Sequence, residues 1–158
     1  MSSQTPVPTR RLPPKNARFA IVAARFNEEI VEKLLAGCLT HLSALGVTAD
    51  RLETVRVPGA FELPLAAQAL AKTKKFAAVI CLGAVIRGDT PHFDFVASQA
   101  ASGIQQAALN TGVPIIFGVL TTDNLQQAQD RCGGKHGHAG ERAADAAVEM
   151  AAVLAALA

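Results

Sequence analysis

The sequence predicts an α/β protein, with a mainly parallel β-sheet covered by helices on both faces. Three observations carry this prediction. Short apolar runs rich in β-branched residues alternate with stretches whose apolar residues recur at helical spacing. Apolar residues make up 50% of the chain, enough for a core. Ala is abundant, while Trp and Tyr are absent, a composition suited to small-residue helices packed closely on a sheet.

The elements follow in order. Residues 1–16 carry Pro6, Pro8, Pro13 and Pro14 and read as an extended tail; residues 17–158 read as one domain. Phe19 to Ala23 is the first buried strand. Asn27 is placed to N-cap a helix, with Glu28 and Glu29 in its acidic first turn. Ile30, Leu34, Cys38 and Leu42 give that helix its buried stripe, and Gly46 stops it. Leu52 to Val57 is the second strand, broken by Pro58-Gly59. A helix from about Glu62 to Thr73 tolerates Pro64 in its first turn. The third strand, Phe76 to Leu82, stops at Gly83, and a polar loop leads into a helix from His92 to Asn110. Ile115 to Leu120 is the fourth strand. Thr121 to Asn124 is a polar capping run before a short helix to about Arg131. A Gly-rich loop, Gly133 to Gly140, precedes an Ala-rich helix from Glu141 to Leu157.

Several function classes are excluded. A net charge of +2 with scattered Arg and Lys, and no interleaved aromatics, argues against nucleic acid. No apolar run is long enough to span a membrane, and the polar N-terminus lacks a signal-peptide core, so a cytoplasmic location is expected. Cys38, Cys81 and Cys132 are widely spaced, and two lie in apolar patterns, which suits buried reduced thiols.

In parallel sheets, ligands bind beyond the carboxyl ends of the strands. The segments expected at that rim hold Phe26, Ala60-Phe61-Glu62, the stretch Ala84 to His92, Phe117 and the start of the fourth helix. A helix start favours an oxyanion, and His92 sits where a proton can be moved beside it. Each candidate also has a plainer reading. His92 could merely satisfy a backbone group; Phe26 and Phe61 could be core rings rather than stacking surfaces for a flat heterocycle. Glu62 could be a dipole contact, and Arg131 a helix-end cation rather than a phosphate clamp. The Gly88-Asp89-Thr90 turn lacks Walker spacing. Cys132, His136 and His138 on one Gly-rich loop are a weak signal for zinc, and no metal is assigned.

Taken together, ARFN (24–27), VPGAFELP (57–64), LGAVIRGDTPHFDFV (82–96), PIIFGVLTTDN (114–124) and DRCGGKHGHAG (130–140) resemble the lumazine synthase family, in the family's order. The resemblance implies a three-layer α/β/α fold with a four-stranded parallel sheet in the order 2-1-3-4. In some members an extra N-terminal strand joins a neighbouring subunit's sheet. It implies a cofactor-free condensation of 5-amino-6-(D-ribitylamino)uracil with 3,4-dihydroxy-2-butanone 4-phosphate, giving 6,7-dimethyl-8-ribityllumazine, phosphate and water. Phe26 would stack on the pyrimidine, and Ala60, Phe61 and Glu62 would hold the ribityl chain. Ala84, Val85 and Ile86 would contact the uracil through backbone groups, and Phe117 would form a pocket wall. Asp89, Thr90 and Arg131 would bind phosphate, and His92 would transfer protons. The implied partners are these small molecules, further copies of the chain in a pentamer or a sixty-subunit shell of pentamers, and riboflavin synthase as a candidate protein partner. Sites would lie between adjacent subunits.

Two features depart from the family. His138 and Ala139 stand where many relatives carry Asn and Lys, and Pro13-Pro14 would interrupt an added strand. The Gly133–His138 turn is short, whereas pentamer-only relatives often carry an insertion there, so the resemblance favours the shell, with a free pentamer as the alternative. Rival functions are a flavin- or pterin-binding module, which tight binding without turnover would support; a shell protein with a degenerate site, which the changes at His138 and Ala139 favour; and an enzyme joining two lumazines, which turnover that needs the butanone phosphate would exclude.

Overall fold

The computed structural model describes residues 6, 7, 9 and 11–158. Four strands form one parallel sheet: β1 (Phe19–Ala24), β2 (Leu52–Val57), β3 (Ala78–Ile86) and β4 (Ile115–Thr122), in the order β2-β1-β3-β4. The helices are α1 (Glu28–Ala44), α2 (Leu63–Lys72), α3 (His92–Thr111), the short α4 (Leu125–Gln129) and α5 (Ala139–Leu157). The predicted class, sheet and strand order are all present.

The central strands are buried on both faces because alternate side chains feed two cores. Phe19, Ile21, Ile80 and Leu82 face one core with Leu34 and Leu42 of α1 and Ala144 and Ala147 of α5. Ala20, Val22, Val79 and Cys81 face the other with Leu63 of α2 and Ile104 of α3. The predicted α1 stripe is buried in full. Small residues let these layers approach closely: a methyl group on Gly118 would meet the Cys81 carbonyl oxygen at 2.7 Å, and one on Gly140 would meet that of Leu34 at 2.1 Å. His41 of α1 and Asp145 of α5 also pair across their interface at 2.7 Å. Among the described residues no helix is long and apolar enough to cross a membrane.

Several expected boundaries shift. Gly83 does not end β3: pairing with β4 continues to Ile86 opposite Thr122. Ala84 and Val85 are therefore buried strand residues rather than loop, and Thr121-Thr122 belong to β4 rather than to a capping run. Asn124 alone caps α4, its side chain accepting from the Gln127 N–H at 2.9 Å. Asn27 precedes α1 but makes no side-chain cap; it adopts a left-handed conformation at φ 57, which Asn tolerates, and its amide is used elsewhere. The Gly-rich loop is an antiparallel hairpin of β5 (Cys132–Gly134) and β6 (Gly137–His138). Residues 11–14 have neither helix nor strand, as read for the tail; part of that tail lies outside the described residues.

Candidate active site

The carboxyl ends of β1, β2 and β3 are tied together by backbone and amide hydrogen bonds. The Arg25 and Phe26 N–H groups donate to the Val57 and Pro58 carbonyls at 2.9 and 3.0 Å, so the β1–β2 ladder runs on into the loops. Asn27 Nδ2 donates to the Ala84 carbonyl at 2.7 Å, joining the β1 loop to β3. Gly59 opens a single 3-10 turn, Ala60–Glu62. Its N–H donates to Glu62 Oε2 at 2.9 Å, which holds that carboxylate at the turn. A methyl group on Gly59 would lie 3.9 Å from Phe26 Cβ, and one on Gly83 would lie 3.6 Å from Ala60 Cβ. Phe26, the 60–62 turn and the end of β3 are therefore neighbours.

The aromatic rings decide between core and surface. Phe26, Phe61 and Phe117 are 72%, 58% and 44% exposed, so none is a core ring within this chain. An apolar ring left in water at a strand end is available to stack on a ligand or on another chain.

Beyond Ile86 the chain turns through exposed residues 87–91 into α3, a 20-residue helix whose first residue is His92. The His92 N–H approaches Thr90 Oγ1 at 3.4 Å. The Asp94 N–H donates to the Pro91 carbonyl at 3.0 Å. The remaining first-turn donors and the helix dipole favour an anion beside Asp89-Thr90, with the exposed His92 imidazole adjacent in sequence. Arg87, whose role no local sequence pattern signals, bridges Asp94 and Asp123.

Phe117 lies elsewhere. Phe117 is not at the rim: it pairs in register with Cys81, whereas the rim end of β4 is Thr122. At about 3.3 Å per residue it sits roughly 16 Å back along the strand. β4 is an edge strand, and Phe117 borders a shallow groove of about 280 Å³ whose far wall is Ala139, Arg142, Ala143 and Ala146. Arg131 follows α4, half-buried, with Nη1 donating to the Gln127 carbonyl at 2.9 Å. His138 has a structural task the sequence did not suggest. Its Nδ1 accepts from the Gly140 N–H at 3.2 Å, capping α5, and its ring fills the space over Gly37. Among the described residues, no three His, Cys, Asp or Glu side chains gather as metal ligands.

A family model described as 6,7-dimethyl-8-ribityllumazine synthase matches residues 16–155. The chain belongs to this family. A relative from Salinibacter ruber, named 6,7-dimethyl-8-ribityllumazine synthase, is 52% identical over 137 residues, covering 87% of this chain and 88% of its own. One from Nitratidesulfovibrio vulgaris (strain DP4), with the same name, is 50% identical over 144 residues, covering 91% and 92%. The lumazine synthase family thus accounts for everything from the end of the tail to the last turns of α5.

Proposed function

We propose that this chain condenses 5-amino-6-(D-ribitylamino)uracil with 3,4-dihydroxy-2-butanone 4-phosphate to 6,7-dimethyl-8-ribityllumazine, releasing phosphate and water. The observation that carries the proposal is the rim itself. Two exposed rings, a held carboxylate, strand-end backbone and a helix start bearing His92 are joined by the 2.7 Å Asn27–Ala84 bond and the Phe26–Pro58 bond. In this reading Phe26 stacks on the pyrimidine, and Ala60, Phe61 and Glu62 hold the ribityl chain. Ala84, Val85 and Ile86, being strand residues, offer backbone groups to the uracil. Asp89 and Thr90 supply the phosphate turn through their N–H groups. The amine attacks the ketone, an imine forms with loss of one water, phosphate leaves, and the ring closes with loss of a second water. His92 moves protons at these steps, a general acid/base factor of about 10² to 10⁴. Positioning two substrates together supplies more, up to roughly 7–11 kcal/mol.

Phe117 and Arg131 enter as a neighbouring subunit's contribution. Phe117's position roughly 16 Å back from the rim, and its exposure on an edge strand, support a pocket completed between copies in a pentamer or a shell of pentamers. The free thiols of Cys38 and Cys81 suit a reducing compartment, and the reading places the enzyme in the cytoplasm.

The test is direct. The purified protein is mixed with both substrates, and lumazine and phosphate are followed against the spontaneous reaction. Accelerated, stoichiometric formation of both is expected. Pyrimidine binding without acceleration would replace the enzyme reading with a binding module.

A further inference from the structure

We propose that Arg87 is a positioning residue for this reaction. It braces the first turn of α3, which begins with His92, against the β4–α4 corner that leads to Arg131. The proposal rests on the roles given above to His92 and Arg131.

The brace has contacts on both sides. The Arg87 N–H donates to the Thr122 carbonyl at 2.8 Å, extending the β3–β4 ladder by one residue. Its Nη2 donates to Asp94 Oδ1 at 3.3 Å, and its Nε donates to Asp123 Oδ1 at 3.2 Å. The guanidinium carbon stands 4.2 Å from the centre of the Phe93 ring. One planar cation therefore grips two residues of the α3 start by charge and by stacking, and the β4–α4 corner by a second carboxylate.

The contacts continue beyond Asp123. Its N–H donates to Gln127 Oε1 at 2.9 Å, and the Gln127 carbonyl accepts from Arg131 Nη1 at 2.9 Å. The residue under the proton-transfer helix and the residue that steers the phosphate cation are thus linked through a few fixed bonds. An Arg is required for this geometry. Its guanidinium donates in two directions while its face stacks, which a Lys ammonium cannot do.

Exposed ion pairs contribute little to stability, and all three charged groups are largely exposed. The expected signature is therefore kinetic. A small misplacement of a catalytic group costs up to about 10²-fold in rate, so loss of the brace is expected to lower kcat about tenfold.

The experiment uses full-length Arg87→Gln and Arg87→Lys. Steady-state kinetics are measured in each substrate, with thermal unfolding and amide hydrogen exchange over residues 88–96. The expected result is a similar fall in kcat for both variants, a pyrimidine KM within about twofold of wild type, an unchanged Tm, and faster exchange in the first turn of α3. The double variant Arg87→Gln/Asp123→Asn is expected to be no slower than Arg87→Gln alone. Wild-type kcat in Arg87→Gln would overturn the proposal. Full recovery in Arg87→Lys would also overturn it, since charge alone would then suffice. If the wild-type protein fails to accelerate the condensation, the functional reading falls instead. The exchange arm still judges the brace, and unchanged exchange in Arg87→Gln would refute it.

Discussion

The closest approach of a glycine to another element's backbone gives the sharpest stability prediction. Gly140 is the second residue of α5 and faces the backbone of α1. A methyl group there would lie 2.1 Å from the Leu34 carbonyl oxygen and 2.9 Å from its carbon. Neither atom can swing aside, because both belong to the interior of α1. Gly140→Ala must therefore push the two helices apart by about an ångström, a gap that forfeits a quarter to a half of each dispersion contact across it. That interface holds Leu34, Cys38 and Leu42 against Ala144, Ala147 and Val148. Overpacking of this kind costs about 1–3 kcal/mol, and disturbing the His138 cap on the Gly140 N–H adds about 1 kcal/mol. The better helix propensity of Ala returns at most about 1 kcal/mol.

The net expectation for Gly140→Ala is a loss of about 1–3 kcal/mol, or a Tm lower by roughly 2–12 °C for a chain of this size. The assay is thermal unfolding at one fixed protein concentration, since association would move the midpoint. Gly37→Ala is the internal control. Its methyl group would meet the His138 ring at 2.1 Å, but that is a side chain and can rotate away. The lost cap and the gained helix propensity are each about 1 kcal/mol, so Gly37→Ala is expected near neutral. Gly140→Ala at or above wild-type stability would refute the steric reasoning, as would equal losses at the two positions.

Three further outcomes follow from the chemistry. His92→Ala is expected to retain turnover, reduced by about 10² to 10⁴; full wild-type activity would remove His92 from proton transfer. Arg131→Ala is expected to raise the KM for the butanone phosphate while pyrimidine binding stays near normal, and equal weakening of both in binding and kinetic titrations would count against a phosphate role. Burial pushes the Cys38 and Cys81 thiols up to about 12 from an ordinary value of 9.0, so the native state keeps protons that the unfolded chain releases. Their contribution to stability is therefore constant below about pH 9 and falls as pH rises from 9 towards 12, by about 1.4 kcal/mol per pH unit per thiol. Cys38→Ala should have a shallower alkaline decline in Tm than wild type, and an identical slope would contradict the burial argument.

What was legible in the sequence was local. The α1 stripe and the all-apolar β1 run could be read because their periodicity is set within a few residues. From the sequence alone Gly83 reads as a strand end, because glycine often is one. In the fold it sits inside β3, where a side chain would lie 3.2 Å from Leu63 Cδ1, a demand made by a distant helix. Asn27 reads as a helix-start residue, but its amide serves the Ala84 carbonyl, 57 positions along the chain. The Arg87 brace was likewise hidden: Asp94 lies seven positions away and Asp123 lies 36. At the hairpin the glycines themselves signal a tight bend, and Gly133 and Gly137 take φ 94 and 76 there, but the pairing of Cys132 with His138 is a strand contact that the glycines do not reveal.

Phe117 and Arg131 carry the last inference about how the site is divided. Phe26 and Phe61 mark one exposed patch at the sheet rim, while Phe117 marks a second, roughly 16 Å back along an edge strand. Two different patches on one chain suit a head-to-tail contact, which closes into a ring when the rotation permits. In such a ring each site takes His92 from one subunit and Arg131 from the next. His92→Ala and Arg131→Ala, each impaired alone, should then complement each other. When the two are unfolded together in equal amounts and refolded, about a quarter of the sites pair an intact His92 with an intact Arg131. With the butanone phosphate held well below the raised KM of Arg131→Ala, where both variants turn over slowly, activity should rise towards a quarter of wild type, well above the average of the two variants refolded separately. If both residues served a site within one chain, no mixed assembly could contain an intact site, and activity would stay at the simple average of the two variants. A mixture that remains at that average, despite proven subunit exchange by mass spectrometry, would return both residues to a single subunit and leave the exposure of Phe117 without a role in catalysis.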